Sequence, residues 1–106
     1  MTEESLFLEY VGDSPWMRVL QYLIEGKDFD YTLTDMLNAE VSWGTLNQIV
    51  PKLLKLNMII KTRKIGRATL YKLNQNHEAV KHLLGLYNGI IISRLQKMKE
   101  EELVAE

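Results

Sequence analysis

The 106-residue sequence contains no cysteine, only two prolines and only six glycines. The absence of cysteine excludes a disulfide framework, a thiolate metal site and a cysteine nucleophile. The glycines form neither a phosphate-cradling loop nor a dinucleotide-binding fingerprint. Because 46% of the residues are hydrophobic, the chain has enough apolar side chains for one core, and we expect a single domain over residues 1–106.

A long apolar stretch is also missing from the first twenty residues, which instead contain four acids, Glu3, Glu4, Glu9 and Asp13. This pattern argues against a signal peptide or a membrane-spanning helix, so we expect a soluble cytoplasmic protein without a membrane partner. The only histidines are His77 and His82, and no convergent set of acid, base, nucleophile or metal ligands is visible. We therefore expect no enzyme activity, catalytic residue, metal or cofactor.

Acidic residues are absent from residues 41–77, although the formal net charge of the chain is only −1. The same stretch contains seven basic residues, Lys52, Lys55, Lys61, Arg63, Lys64, Arg67 and Lys72. Acids lie on either side of it, including Glu100, Glu101, Glu102 and Glu106. Such asymmetry is typical of a surface that contacts phosphates, although an ordinary solvated face is the alternative.

Capping residues and apolar spacing predict three helices in the first half of the chain. Ser14 and Pro15 begin the first, which runs to about Glu25 and is closed by Gly26 as a left-handed cap. Residues 29–32 are predicted to be extended, and Thr32 or Thr34 caps a short second helix. The third begins after Ser42 and ends at Asn57, with a bend expected near Asn47 to Pro51.

A β-hairpin and a long helix are predicted for the second half. Residues 58–64 and 68–73 are β-prone and are separated by Ile65, Gly66 and Arg67. Asn76 is predicted to cap a last helix that reaches about Leu103. The resulting order predicts a mainly α protein with a small β-hairpin, a winged helix-turn-helix with a long C-terminal dimerisation helix.

The third predicted helix carries polar residues on the face opposite Leu46, when residues are spaced about 100° apart. In a helix-turn-helix this helix enters the major groove of DNA. Gln48 and Asn47 suit adenine, and Thr45 suits a base or a phosphate. The predicted DNA-binding residues are Ser42, Trp43, Gly44, Thr45, Asn47, Gln48, Lys52, Lys55, Arg63, Lys64 and Arg67. Of these, Lys52 and Lys55 suit phosphates, and Trp43 could instead pad the core.

The three cations of the hairpin, Arg63, Lys64 and Arg67, are predicted to cluster at its tip and to contact a minor groove or the backbone beside it. The apolar residues of the last helix cover more than half of its circumference, which is more than one small core occupies. We therefore expect a homodimer. Its predicted interface residues are Tyr87, Ile90, Ile91, Arg94, Leu95 and Met98, with Gly85 and Gly89 permitting close approach.

Several segments carry a resemblance to a known group of proteins. They are residues 13–15 with 18–20, residues 29–31, residues 41–46 at the start of the third helix, and residues 63–74 across the hairpin. Through them the chain resembles small archaeal winged helix-turn-helix regulators of the broad MarR-like and ArsR-like group. The resemblance implies DNA binding through the third helix and wing, with dimerisation through terminal helices. Thiolate metal sensing does not carry over, and Asn57 stands where such families commonly have glycine.

Two functional hypotheses follow from these observations. The first is a sequence-specific transcriptional regulator that binds double-stranded DNA as a homodimer. The second is a winged helix that serves as a protein-protein interaction module in a larger assembly, because fold alone does not decide function. The acid-free stretch over residues 41–77 favours DNA.

Overall fold

The computed structural model describes residues 5–105, so Glu3, Glu4 and Glu106 of the acidic flanks lie outside the described residues. The element order is α1 (Leu6–Val11), α2 (Pro15–Glu25), α3 (Leu33–Met36), a 3₁₀ turn (Leu37–Ala39), α4 (Trp43–Lys55), β1 (Ile59–Ile65), β2 (Ala68–Leu73) and α5 (Glu78–Ala105). The described part of the chain is mainly α with one small hairpin, as the sequence predicts. No helix within residues 5–105 is long and apolar enough to cross a membrane.

Helix α1 was not predicted from the sequence. The Ser5 hydroxyl accepts a hydrogen bond from the Leu8 amide at the N-terminus of α1. Phe7 is buried in the core, and its ring lies 5.4 Å from that of Tyr87 on α5. This short helix thus covers part of the face of α5 that the sequence assigned to a partner.

Helix α2 begins as predicted, because the Ser14 hydroxyl accepts from the Met17 amide and Pro15 occupies the first turn. The predicted left-handed conformation of Gly26 is wrong, since its φ is −111°. Glycine is required there for space instead: a Cβ would lie 1.8 Å from the Tyr31 hydroxyl oxygen. That hydroxyl donates to the Gly26 carbonyl at 3.1 Å, so the two residues are in direct contact.

The turn between α3 and α4 is built from local hydrogen bonds. Thr32 and Asp35 form a reciprocal capping box at the start of α3. After the 3₁₀ turn, Glu40 adopts a left-handed φ of 64° and redirects the chain toward α4. Arg18 of α2 donates to the Glu40 carbonyl oxygen at 3.0 Å while its other nitrogens bind the Asp13 carboxylate. The turn is thereby attached to α2.

Helix α4 buries one face and exposes the other. Its N-cap is Ser42, as predicted, and the buried residues are Leu46, Ile49, Val50 and Leu53. The helix runs through Pro51 without a break, and Asn57 follows its end with the predicted left-handed φ, here 61°. The inner face packs in one core cluster with residues of α1, α2, the hairpin and α5. This packing decides which side chains of α4 point outward.

The hairpin is antiparallel and contains an irregularity. The register pairs Ile59 with Leu73 and Ile65 with Ala68, with a shift between Lys61 and Arg63. Leu70 and Tyr71 are both buried although they are neighbours in a strand, and Leu70 lies outside the main core cluster. Neighbouring residues of a strand point to opposite faces, so both faces of β2 are buried at this point.

Helix α5 begins at Glu78, and its capping contact comes from His77, whose Nδ1 accepts from the Ala79 amide at 3.0 Å. The prediction that Asn76 caps this helix is therefore wrong. The first half of α5 packs on the domain through Val80 and Ile90, both nearly inaccessible to solvent. From residue 91 to residue 103 every side chain is exposed, so the second half projects beyond the core.

The contact between Gly26 and Tyr31 generates a prediction. Gly26→Ala forces the Tyr31 ring away from its edge-on partner Tyr22, whose ring centroid is 5.0 Å away, and we expect a loss of about 1–3 kcal/mol in unfolding free energy. Gly44→Ala is the matched control, because its Cβ would meet nothing within 4 Å. Its stability should be unchanged or higher by up to about 1 kcal/mol. Urea unfolding measures both, and equal stabilities would contradict the prediction.

Candidate nucleic-acid interface

The first turn of α4 exposes the polar residues predicted from the sequence. Ser42 and Gly44 are exposed, and Thr45 is half-buried. The Ser42 hydroxyl accepts from the Thr45 amide at 3.1 Å and donates to the Thr45 hydroxyl oxygen at 2.8 Å. Because the Thr45 oxygen accepts this bond, its own O–H proton remains directed to an external acceptor. A ligand can approach the Gly44 backbone closely, because nothing lies within 4 Å of the position that a Cβ would occupy there.

The two amide side chains of α4 differ in their hydrogen bonds. Asn47 donates from Nδ2 to the Trp43 carbonyl at 2.9 Å, so part of its donor capacity is used within the helix. Gln48 is exposed, and its side-chain amide makes no hydrogen bond to any other part of the described chain. Gln48 therefore offers its complete donor and acceptor set to a ligand, whereas Asn47 has one of its two amide protons engaged within the helix.

The cations of α4 lie farther along the helix. Lys52 and Lys55 are both exposed and belong to its last turn, on the side that faces away from the core. Lys64 and Arg67 are exposed at the end of the hairpin, beside Gly66 with its left-handed φ of 61°. None of these four cations forms an ion pair with a carboxylate among residues 5–103. Their charge is available to an anionic partner.

Arg63 differs from the other cations of the hairpin, and its predicted place at the wing tip is wrong. It lies beside the strand irregularity, and its Nε and Nη2 donate to the two carboxylate oxygens of Asp30 at 2.9 and 3.1 Å. The Thr62 hydroxyl donates to the same carboxylate. These hydrogen bonds lower the pKa of Asp30 to about 2, and the bond from Arg63 is the largest cause. Arg63 therefore attaches the hairpin to the segment before α3, with its charge already balanced.

Trp43 begins α4 and does not pad the core. Half of its surface, 50%, is exposed, and it lies outside the main core cluster. It borders a cleft of about 310 Å³ between α3, the start of α4 and the hairpin. The other lining residues are Thr32, Leu33, Thr34, Arg67, Ala68, Thr69 and Tyr71. The cleft connects the two predicted DNA-binding elements and was not recognised in the sequence, because its lining residues are far apart in the chain.

Two of the predicted dimer-interface residues are occupied within their own domain. Ile90 is only 2% exposed, and the Tyr87 ring packs on Phe7 while its hydroxyl donates to Glu25 at 2.7 Å. Burial, together with the hydrogen bond to the Glu25 carboxylate, raises the pKa of Tyr87 to about 12. The boundary between own-domain packing and the free part of α5 therefore lies after Ile90, later than the sequence predicted. The reason is that helix α1 covers these residues.

The remaining interface residues, Ile91, Arg94, Leu95 and Met98, are exposed. At about 100° per residue, Gly85 lies about 120° from Ile91, and Gly89 lies about 120° from Leu95. The glycines therefore do not share a face with the apolar stripe of Ile91, Leu95 and Met98, contrary to the expected close approach at that stripe. Ile92, which is 53% exposed, shares the glycine face instead. In the projecting half of α5, the stripe of Ile91, Leu95 and Met98 and the side chain of Ile92 therefore lie on different faces of the helix.

Comparisons with solved structures agree with this architecture. The adhesin competence repressor AdcR of Streptococcus pyogenes is 16% identical, with a TM-score of 0.61 over 92% of this chain and 74% of that chain. MepR of S. aureus, in a DNA-binding conformation, is 15% identical, with a TM-score of 0.59 over 89% of this chain and 69% of that one. No family model and no curated protein matches the sequence.

A third similar structure is a homodimeric winged helix-turn-helix DNA-binding domain, Mb0332 of Mycobacterium bovis, described as a possible ArsR-family transcriptional regulator. It is 13% identical, with a TM-score of 0.56 over 92% of this chain and 95% of that chain. At these identities the likeness concerns the fold. The predicted class is confirmed: the chain has the winged helix-turn-helix fold, with α3 and α4 as the helix pair and β1 and β2 as the wing.

The ion pair of Asp30 predicts a loss of stability in acid. A carboxyl whose pKa falls from 3.8 to about 2 on folding stabilises the folded state above pH 3.8, and this stabilisation is lost as the pH falls through about 2. Asp30→Asn should therefore flatten the dependence of unfolding free energy on pH in that window. Arg63→Ala should do the same, because it removes the main cause of the shift.

The measurement is the urea unfolding midpoint at a series of pH values between 2 and 6. Asp28→Asn is the matched control, since Asp28 is exposed two residues away and forms no ion pair in the described chain. If the unfolding midpoint of Asp30→Asn depended on pH as strongly as that of the wild type, the assigned role of the Asp30–Arg63 pair would be contradicted.

Proposed function

We propose that the protein is a sequence-specific transcriptional regulator that binds double-stranded DNA, with α4 in the major groove and the wing on the backbone and minor groove. The carrying observation is that the outward faces of α4 and the wing tip present Lys52, Lys55, Lys64 and Arg67, none of which pairs with a carboxylate among residues 5–103. A surface with one sign of charge on both elements suits a polyanion that contacts both. A protein-binding module would not require it.

The polar residues and Gly44 on the outer face of α4 each have a proposed role. Gln48, with its amide unengaged, reads a base edge in the major groove, for which adenine is the matching partner. Asn47 assists if its bond to the Trp43 carbonyl is exchanged for one to DNA. Thr45 and the backbone at Gly44 approach at the N-terminal end of the helix, and Lys52 and Lys55 contact phosphates. Lys64 and Arg67 contact the groove or backbone beside the wing.

We propose further that the regulator acts as a homodimer through the projecting half of α5. A helix of 28 residues is about 42 Å long, which exceeds what the core covers. Leu95 and Met98 are 59% and 52% exposed, and with Ile91 they continue the stripe that packs on the domain. A second copy packed on this stripe would bury it in an isologous interface. Two copies of α4 about 34–36 Å apart would then fit successive major grooves.

The proposal predicts different effects for two neighbouring residues on the outer face of α4. Gln48→Ala should change which base pairs are preferred, at a cost of about 1–3 kcal/mol for the best site if its contact is bidentate. Lys52→Ala should weaken all sequences equally and reduce the slope of log affinity against log salt by about one. Selection of bound fragments from a random duplex library, followed by titration at several salt concentrations, measures both effects.

Wild-type protein that recovers no motif and shows no salt-dependent affinity for duplexes would refute the proposed function and favour the protein-interaction module. A wild-type motif that Gln48→Ala recovers with equal discrimination would show that α4 is not the reading element. Tyr10→Ala is a suitable control, since Tyr10 is exposed on α1, outside the proposed interface.

The dimer predicts that charge on the stripe prevents association. Ile91→Glu combined with Leu95→Glu should give a folded monomer, because both side chains are exposed and leave the core intact. Ile92→Glu is the matched control on the glycine face of the same helix. Sedimentation at tens of micromolar, a concentration above the affinity expected of a functional dimer, measures the outcome. If Ile92→Glu alone caused dissociation, the interface would have to be assigned to the glycine face. A monomeric wild type would refute the dimer.

A further inference from the structure

The cleft beside Trp43 is a feature of the described surface to which the roles above assign no occupant. It lies between the start of α3, the start of α4 and strand β2, and has a volume of about 310 Å³. Its lining includes Thr32, Thr34 and Thr69, together with Arg67 from the turn of the wing. Its lining residues include no aspartate or glutamate. The cleft is therefore neutral to positive and rich in hydroxyl groups.

Trp43 gives this cleft an exposed aromatic wall. Half of the side chain is accessible, although tryptophan is usually well buried in a folded domain. Its indole N–H has no hydrogen-bond partner among residues 5–103. Its own backbone carbonyl, in contrast, is held by the Asn47 side chain. A rigidly placed, half-exposed tryptophan with a free donor is typical of a contact residue.

The hydroxyl groups of the cleft are arranged to donate. The Thr32 oxygen accepts from the Asp35 amide at 3.0 Å, so its O–H proton is available to a further acceptor. The Asp35 carboxylate of the same capping box accepts from the Thr32 amide at 2.9 Å. Thr34 is exposed and Thr69 is half-buried. An acceptor-rich, anionic ligand with an apolar face matches this set of donors beside an indole.

We infer that the cleft receives one sugar-phosphate segment of a DNA strand, with a deoxyribose against the Trp43 indole and the adjoining phosphate near Arg67 and the threonine hydroxyls. Deoxyribose supplies the apolar face, and phosphate supplies the charge and the acceptors. The inference rests on the proposed function and adds to it a clamp between α4 and the wing. Trp43 is then a contact residue that aligns α4 in the groove without reading a base.

The chain has only two tryptophans, so Trp16→Phe leaves Trp43 as the sole indole. Titration of this variant with a random-sequence duplex of about 25 base pairs, enough for two half-sites, should change the Trp43 emission as the duplex binds. Trp43→Ala should weaken duplex binding about tenfold, and Trp43→Phe should retain most of the affinity. Arg67→Ala should lower the salt slope by about one, as one phosphate contact is lost.

Tyr10→Ala, with an equally exposed aromatic on α1, is the control and should bind as the wild type does. Duplex binding measured by anisotropy without any change in Trp43 emission, or with full affinity in Trp43→Ala, overturns the clamp and leaves the proposed function standing. A wild-type protein that binds no duplex overturns the proposed function itself. The two failures are therefore distinguishable.

Discussion

The position of the wing relative to α4 depends on three consecutive residues, 30–32. The Tyr31 amide and carbonyl each bond to the backbone of Tyr71 at 2.8 Å, which attaches the segment to strand β2. Asp30 binds Arg63 and Thr62 of β1, and Thr32 caps α3. One short stretch of chain thus joins both strands of the hairpin to the helix pair. Without it the hairpin would be held by its own ladder and by core contacts near its base.

This attachment explains why Arg63 and Arg67 have different roles despite their similar chemistry. Arg63 lies where the strand irregularity brings β1 next to the segment before α3, and its charge is balanced by Asp30. The Asp30 side chain is 17% exposed and that of Arg63 is 59% exposed, so the carboxylate is better shielded from solvent than its partner. Arg67 lies beyond the attachment, at the turn, and faces the cleft. The same hairpin therefore uses one arginine for its own placement and offers the other to a partner.

Helix α1 changes the interpretation of α5. The apolar surface of α5 was predicted to be larger than a core of three helices would cover. That prediction did not include α1. Phe7 and its neighbours use two of those residues, Tyr87 and Ile90, while residues 91–103 remain exposed. Six residues form less than two helical turns, so α1 is too short to show an apolar periodicity from which a helix could be predicted. Its N-cap Ser5 was the available signal.

Local chemistry was sufficient to predict the helix starts at Ser14 and Ser42, the left-handed Asn57, the hairpin and its glycine turn, and the winged-helix class. These features depend on neighbours within a few residues, so a pattern of residue types determines them. The tertiary structure decided the pairing of Asp30 with Arg63, the exposure of Trp43 and the burial of Ile90. Each of these joins segments distant in the chain, and residue spacing does not reveal which distant side chains meet.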